Sequence, residues 1–119
     1  MSDQLKKFKD YRAKMNERIL AEDNRIIKRV FSVDSLMYSE GTALPKATKE
    51  LLGLVSSLVL RCDDCVKYHI EESVKSGLSH KEIVEAMSVG LVVGGTIVVP
   101  HLRRAVEFLD EVESAVSNK

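Results

Sequence analysis

The chain of 119 residues has no Trp and only three Tyr and three Phe, so it lacks the aromatic platforms on which single-stranded nucleic acid stacks. It also lacks an excess of charge, because 18 Lys and Arg balance 18 Asp and Glu. Without a net field there is no general attraction to a nucleic-acid backbone or an anionic membrane surface, and neither is an expected partner. Long hydrophobic runs are missing too. The longest apolar stretch, Ala86 to Pro100, is interrupted by Gly90, Gly94 and Gly95 and falls short of the roughly 20 residues a membrane-spanning helix needs. Met1 to Lys7 opens a polar segment without the apolar core of a signal peptide, so the expected location is the cytoplasm. In that compartment two cysteines are not a structural staple; they are candidate metal ligands or redox groups.

Hydrophobic residues make up 45% and charged residues 30%, which predicts one ordinary globular domain over residues 1–119. Residues 1–29 read as a basic, amphipathic N-terminal helical extension, with nine basic residues against five acidic ones. Leu5, Phe8, Met15 and Ile19 recur at helical spacing, with the stem of Arg12 filling the gap and Ser2 placed to cap the start. Turn residues between Ser32 and Lys46 predict a short helix and a loop. A helix from about Pro45 presents Leu51, Leu54, Val55, Leu58 and Val59 on one face. The next helix carries Cys62 to Lys75 and stops at Gly77, and Ser79 with Glu82 forms a capping box for another. That helix is apolar nearly all round, which predicts a central position with Met87 in the core; Met37 is a further core candidate. Ile97 to Val99 has strand propensity but no second strand to pair with. Pro100 opens the last helix, whose Leu102, Ala105, Val106, Leu109, Val112 and Val116 face inward. The fold class is all-α, with five or six helices. Its thin monomer core predicts that contacts between copies cover part of the apolar surface.

Chemistry concentrates in Cys62-Asp63-Asp64-Cys65-Val66-Lys67-Tyr68-His69. Residues three and four apart share a helix face, so Cys62, Cys65 and His69 line one side of two turns. Two thiols at this spacing can close a small disulfide ring. The reactive species is a thiolate, and His69 can accept the thiol proton near neutral pH. A helix N-terminus would stabilise the thiolate further, whereas Asp63 and Asp64 act against it. Glu50, eleven residues before Cys62, lies on the preceding helix. If the two helices pack as a hairpin, Glu50 can orient His69 and exchange protons with it.

Glu50, Cys62-x-x-Cys65 and His69 at these spacings resemble the signature of the AhpD-like (alkyl hydroperoxidase D) branch of the carboxymuconolactone decarboxylase family. The similarity extends over Leu44 to Leu109, through Ser76-Gly77-Leu78-Ser79-His80-Lys81-Glu82 and Gly94-Gly95. It implies an all-α bundle that assembles as a homo-trimer or homo-hexamer. It implies a Cys pair cycling between dithiol and disulfide, with hydroperoxide as substrate and a thiol or lipoylated protein as reductant. By position, Cys65 would be the attacking thiol, Cys62 the resolving one, and Glu50 with His69 the proton relay. The best-known peroxidase members carry a His immediately before the second Cys, where this chain has Asp64. No flavin, nucleotide or metal motif is present, so no bound cofactor is expected.

Three other readings share these residues. One is a decarboxylase-like lyase, which would not need the Cys pair. Another is a non-enzymatic oligomer with a redox-sensitive disulfide. The third is a zinc-stabilised module, for which Cys62, Cys65 and His69 supply three ligands while a closed structural site needs four. His80 and His101 are the remaining histidines, and neither continues a known spacing.

Overall fold

Asn24 sets the first boundary in the computed structural model, which describes residues 3–117. Its side-chain oxygen accepts the backbone N–H groups of Ile26 and Ile27 at 2.9 and 3.1 Å, a helix N-cap that separates α1 (Asp3–Leu20) from α2 (Arg25–Met37). The basic segment 1–29 is therefore not one helix. It spans α1, a break and the start of α2, which begins well before the turn residues from Ser32 onward. The predicted cap at Ser2 lies outside the described residues.

Four more helices follow: α3 (Lys46–Val59), α4 (Asp63–Lys75), α5 (His80–Gly94) and α6 (Val99–Ser117). Pro45 stands as N-cap of α3, and the Ser79–Glu82 capping box of α5 forms as expected. Thr96–Val98, the candidate strand, is one turn of 3-10 helix leading into α6. No strand occurs among the described residues, so the all-α expectation holds. None of the described helices is long and apolar enough to cross a membrane.

α3 and α4 pack as a hairpin; α3 also packs on α5, and α4 on α6. The core joins Leu54 and Leu58 of α3, Val66 and Ile70 of α4, Ile83 and Met87 of α5, and Ala105, Phe108, Leu109 and Val112 of α6, closed by Leu5 and Val98. α1 reaches this core through Leu5 and through Phe8, whose ring meets Phe108 edge-on at 5.5 Å.

Three packing expectations are corrected. α5 is not enclosed: Val89, Val92 and Val93 are exposed, because α3 covers only one side of it. Val116 is exposed at the end of α6. Met37 is exposed too, since α2 has no buried residue and its apolar side chains Ile26, Val30, Val33 and Leu36 face outward. A pattern of apolar residues reports that a face wants cover, not which chain supplies it.

Candidate functional site

The connection between α3 and α4 is three residues, Leu60, Arg61 and Cys62, and it does two jobs with Cys62. Arg61 turns left-handed (φ 61°), donating its N–H to the Leu58 carbonyl at 3.0 Å, while the Cys62 N–H donates to the Ser57 carbonyl at 3.0 Å. This is a Schellman ending of α3, with Arg61 where glycine is usual. The Cys62 sulfur then caps α4 by accepting the Cys65 N–H at 3.3 Å. Both sulfurs are thus held at the N-terminal end of a helix, where free N–H groups and the helix dipole favour negative charge. Cys62 and Cys65 are joined as a disulfide, their Cα atoms 5.3 Å apart. Cys65 is exposed and Cys62 partly covered.

One helical turn further on, His69 is buried. Its Nδ1 lies 2.8 Å from Oε1 of Glu50, which is 0% exposed. The other carboxylate oxygen of Glu50 accepts a hydrogen bond from Lys46 Nζ at 2.9 Å, and Lys46 also reaches Glu72 at 3.5 Å. A buried carboxylate requires such partners. Burial pushes the Glu50 carboxyl up, but the hydrogen bonds and charges of His69 and Lys46 outweigh it and hold the group below the usual carboxylate range. Lys46 is held above the usual ammonium range: burial lowers it, and Glu50 and Glu72 more than offset that. Glu50 is therefore an anion at neutral pH, aimed at one nitrogen of His69.

Aromatic rings bracket the imidazole. Tyr38, the last residue of the α2 turn, lies with its ring centroid 5.2 Å from that of His69, and Tyr68 lies edge-on at the same separation. The Arg12 guanidinium sits 4.1 Å above the Tyr68 ring, tying α1 to α4. Arg12 is thus an exposed clamp rather than a stem filling a packing stripe, and Tyr68 packs beside the site. Gly53 of α3 makes room for this arrangement. A Cβ there would stand 2.5 Å from His69 Cε1, 2.7 Å from its Nε2 and 2.7 Å from the Tyr38 hydroxyl. Cys65 and His69 open onto a groove of about 1250 Å³, walled on the α1 side by Phe8, Tyr11 and Met15.

The acidic residues beside the sulfurs divide. Asp63 accepts hydrogen bonds from His101 Nδ1 and Arg104 Nε, both at 2.8 Å, while Asp64 is exposed. Burial raises the Asp63 carboxyl, yet His101 and Arg104 hold it below its usual range. The bonds staple the start of α4 to α6 and counter one of the two negative charges near Cys65. His101 therefore has a structural task, and His80 pairs with Glu113 at 2.6 Å. Neither approaches the cysteines as a fourth zinc ligand. Among the described residues, the ligand-type group whose donor atoms lie within 4.8 Å of one another is His80, Asp110 and Glu113, separate from the Cys pair.

The structure joins Cys62 to Cys65 and His69 to Glu50, and it places Cys65 and His69 along one groove. Sequence reading missed Lys46, Gly53 and Tyr38. Lys46 had a signal, since it stands four residues before Glu50 on one helix. Tyr38 and Gly53 had none, because their contacts to His69 are purely tertiary.

The family model for the carboxymuconolactone decarboxylase family matches residues 28–108. Among solved structures, a protein of that family from Thermotoga maritima, described with a suggested involvement in antioxidative response, is 49% identical. The match covers 94% of each chain, with a TM-score of 0.89. A family member from Legionella pneumophila is 22% identical over 93% of this chain and 98% of its own, with a TM-score of 0.83, which speaks to the fold alone. An uncharacterized protein of the cox locus of Paracoccus denitrificans is 26% identical over 84 residues, covering 71% of this chain and 75% of its own.

Proposed function

We propose that this chain, which belongs to the carboxymuconolactone decarboxylase family, is a thiol-dependent peroxidase and disulfide oxidoreductase of AhpD-like type. One observation carries the reading: a closed Cys62–Cys65 pair at a helix start, its exposed member opening onto the groove that also receives the Glu50-paired His69.

The cycle starts from the dithiol. His69 takes the Cys65 proton, with Glu50 stabilising the imidazolium that results. The Cys65 thiolate attacks the terminal oxygen of a hydroperoxide; the S–O bond forms, the O–O bond breaks, and the alkoxide leaves as an alcohol with the proton from His69. Cys65 is now a sulfenic acid. The Cys62 sulfur attacks it, forming the disulfide and releasing water. An external dithiol then reduces the pair by exchange, giving up two electrons and two protons and becoming a disulfide itself. The exposure of Cys65 and partial cover of Cys62 support these roles, since the attacking sulfur must meet the substrate and the resolving one need only meet its neighbour.

We place this activity in the cytoplasm, with a lipoylated protein or another thiol as reductant and no resident cofactor. The exposed apolar faces of α2 and α5 support assembly as a homo-trimer or homo-hexamer. Steady-state consumption of an organic hydroperoxide with dihydrolipoamide tests the proposal. Wild type consumes peroxide catalytically, while Cys62→Ser and Cys65→Ser do not. Full activity in Cys65→Ser would overturn it.

A further inference from the structure

Lys49 is buried at 4% exposure, and its cation takes no part in the Cys–His–Glu cluster. Its ammonium donates to the backbone carbonyl of Ser39 at 2.9 Å. That bond ties the end of α2, which buries nothing of its own, to α3. The residue before Ser39 is Tyr38, whose ring lies against His69. The Tyr38 hydroxyl and His69 Nε2 approach the same point above Gly53, each 2.7 Å from where a Cβ would stand. Nδ1 is engaged by Glu50, so Nε2 is the nitrogen left for a proton from outside.

We propose that Tyr38 is a positioning residue for thiol activation: delivered by the Lys49–Ser39 tether into the notch left by Gly53, it acts through His69, packing against the imidazole with its hydroxyl over the same notch that Nε2 faces. The inference rests on the thiol chemistry proposed above. No hydrogen bond joins the Tyr38 hydroxyl to Nε2 in the disulfide form; in the reduced, protonated state the phenol oxygen can accept one from Nε2–H, which favours the imidazolium–thiolate state over the neutral pair. Burial and the nearby Glu50 charge hold the Tyr38 hydroxyl above its usual titration range, so it stays a neutral phenol throughout. The other groups around His69 and Cys65 are Glu50 and Lys46 from α3, Asp63, Asp64, Lys67, Tyr68 and Glu72 from α4, His101 and Arg104 of α6 on Asp63, Asp34 near Tyr38 on α2, and Arg12 of α1 behind Tyr68. Tyr38→Phe leaves all of these charges in place and removes one oxygen.

The test is the pH dependence of Cys65 alkylation by iodoacetamide in the reduced full chain, in a Cys62→Ser background so that one thiol reports. Tyr38→Phe moves the midpoint to higher pH by about half a unit or more, the scale of one lost hydrogen bond. Lys49→Gln, which cuts the tether, moves it in the same direction, and His69→Gln moves it furthest. If His69→Gln shifts the profile but Tyr38→Phe and Lys49→Gln superimpose on the parent, the role of Tyr38 is overturned while the thiol–imidazole reading stands. If His69→Gln also superimposes, the thiol–imidazole reading falls and this inference with it.

Discussion

Glu50 and His69 stand on different helices and meet at 2.8 Å in the interior of the α3–α4 hairpin, with Glu50 closed off from solvent. The contact is made possible by the three-residue connection through Arg61, which folds α4 back along α3. Glu50→Gln keeps the shape but removes the charge that stabilises a protonated His69, and it leaves the Lys46 ammonium without its nearest anion. Peroxide turnover at neutral pH falls by roughly 100-fold, the lower end of what a positioned acid–base group contributes. Comparison of kcat for the two proteins checks this.

Gly53→Ala adds a methyl group 2.5 Å from His69 Cε1, a distance no packed pair of carbons tolerates. The new methyl is fixed to the backbone of α3, so the His69 ring and the Tyr38 hydroxyl, 2.7 Å from it, are the groups that must move. Overpacking costs about 1–3 kcal/mol, partly offset by the roughly 1 kcal/mol that Ala gains over Gly in a helix. The expected outcome is a modest drop in the midpoint of urea unfolding and a large loss of peroxidase activity. A variant as active as wild type would show that the placement of His69 against α3 is not needed.

Acid weakens the fold through the same carboxylate. Glu50 is held below its ordinary value of 4.5 when folded, so in the window beneath that value the unfolded chain binds the proton first. The stabilisation from Glu50 is complete above about pH 4.5 and drains away as pH falls through the folded value. Asp63, held below 3.8 by His101 and Arg104, adds a further loss at lower pH. Urea midpoints measured between pH 7 and pH 3 therefore fall more steeply for wild type than for Glu50→Gln. Parallel curves would contradict the assignment.

Arg61 occupies a left-handed position that costs a residue with a Cβ about 1 kcal/mol relative to glycine. Arg61→Gly raises the melting temperature by a few degrees and leaves the Cys62–Cys65 geometry intact. A lower melting temperature would reveal a contact of the guanidinium worth more than the backbone strain.

The site was legible where it is local. Cys62, Cys65 and His69 fall on one face because helical periodicity dictates it, and Ser79 with Glu82 announces a helix start by side-chain chemistry alone. Glu50 was reachable only through the hairpin, which its spacing to Cys62 allowed and the structure supplies. Asn24 carried a readable cap signal, yet the continuous run of charge across residues 1–29 hid the break. Tyr38 and the Asp63–His101 pair could not be read, since no periodicity links α2 to α4 or α4 to α6. Met37 and the outer side of α5 depart from expectation for a different reason. Their apolar faces are real, but nothing in the single chain covers them.

The most direct measurement is a thiol count on the reduced protein after one equivalent of organic hydroperoxide. Both thiols disappear together as an intramolecular Cys62–Cys65 disulfide. Dihydrolipoamide then restores both, and the cycle repeats without loss. Thiols that survive the peroxide, or an oxidised form that dihydrolipoamide fails to return, would contradict it.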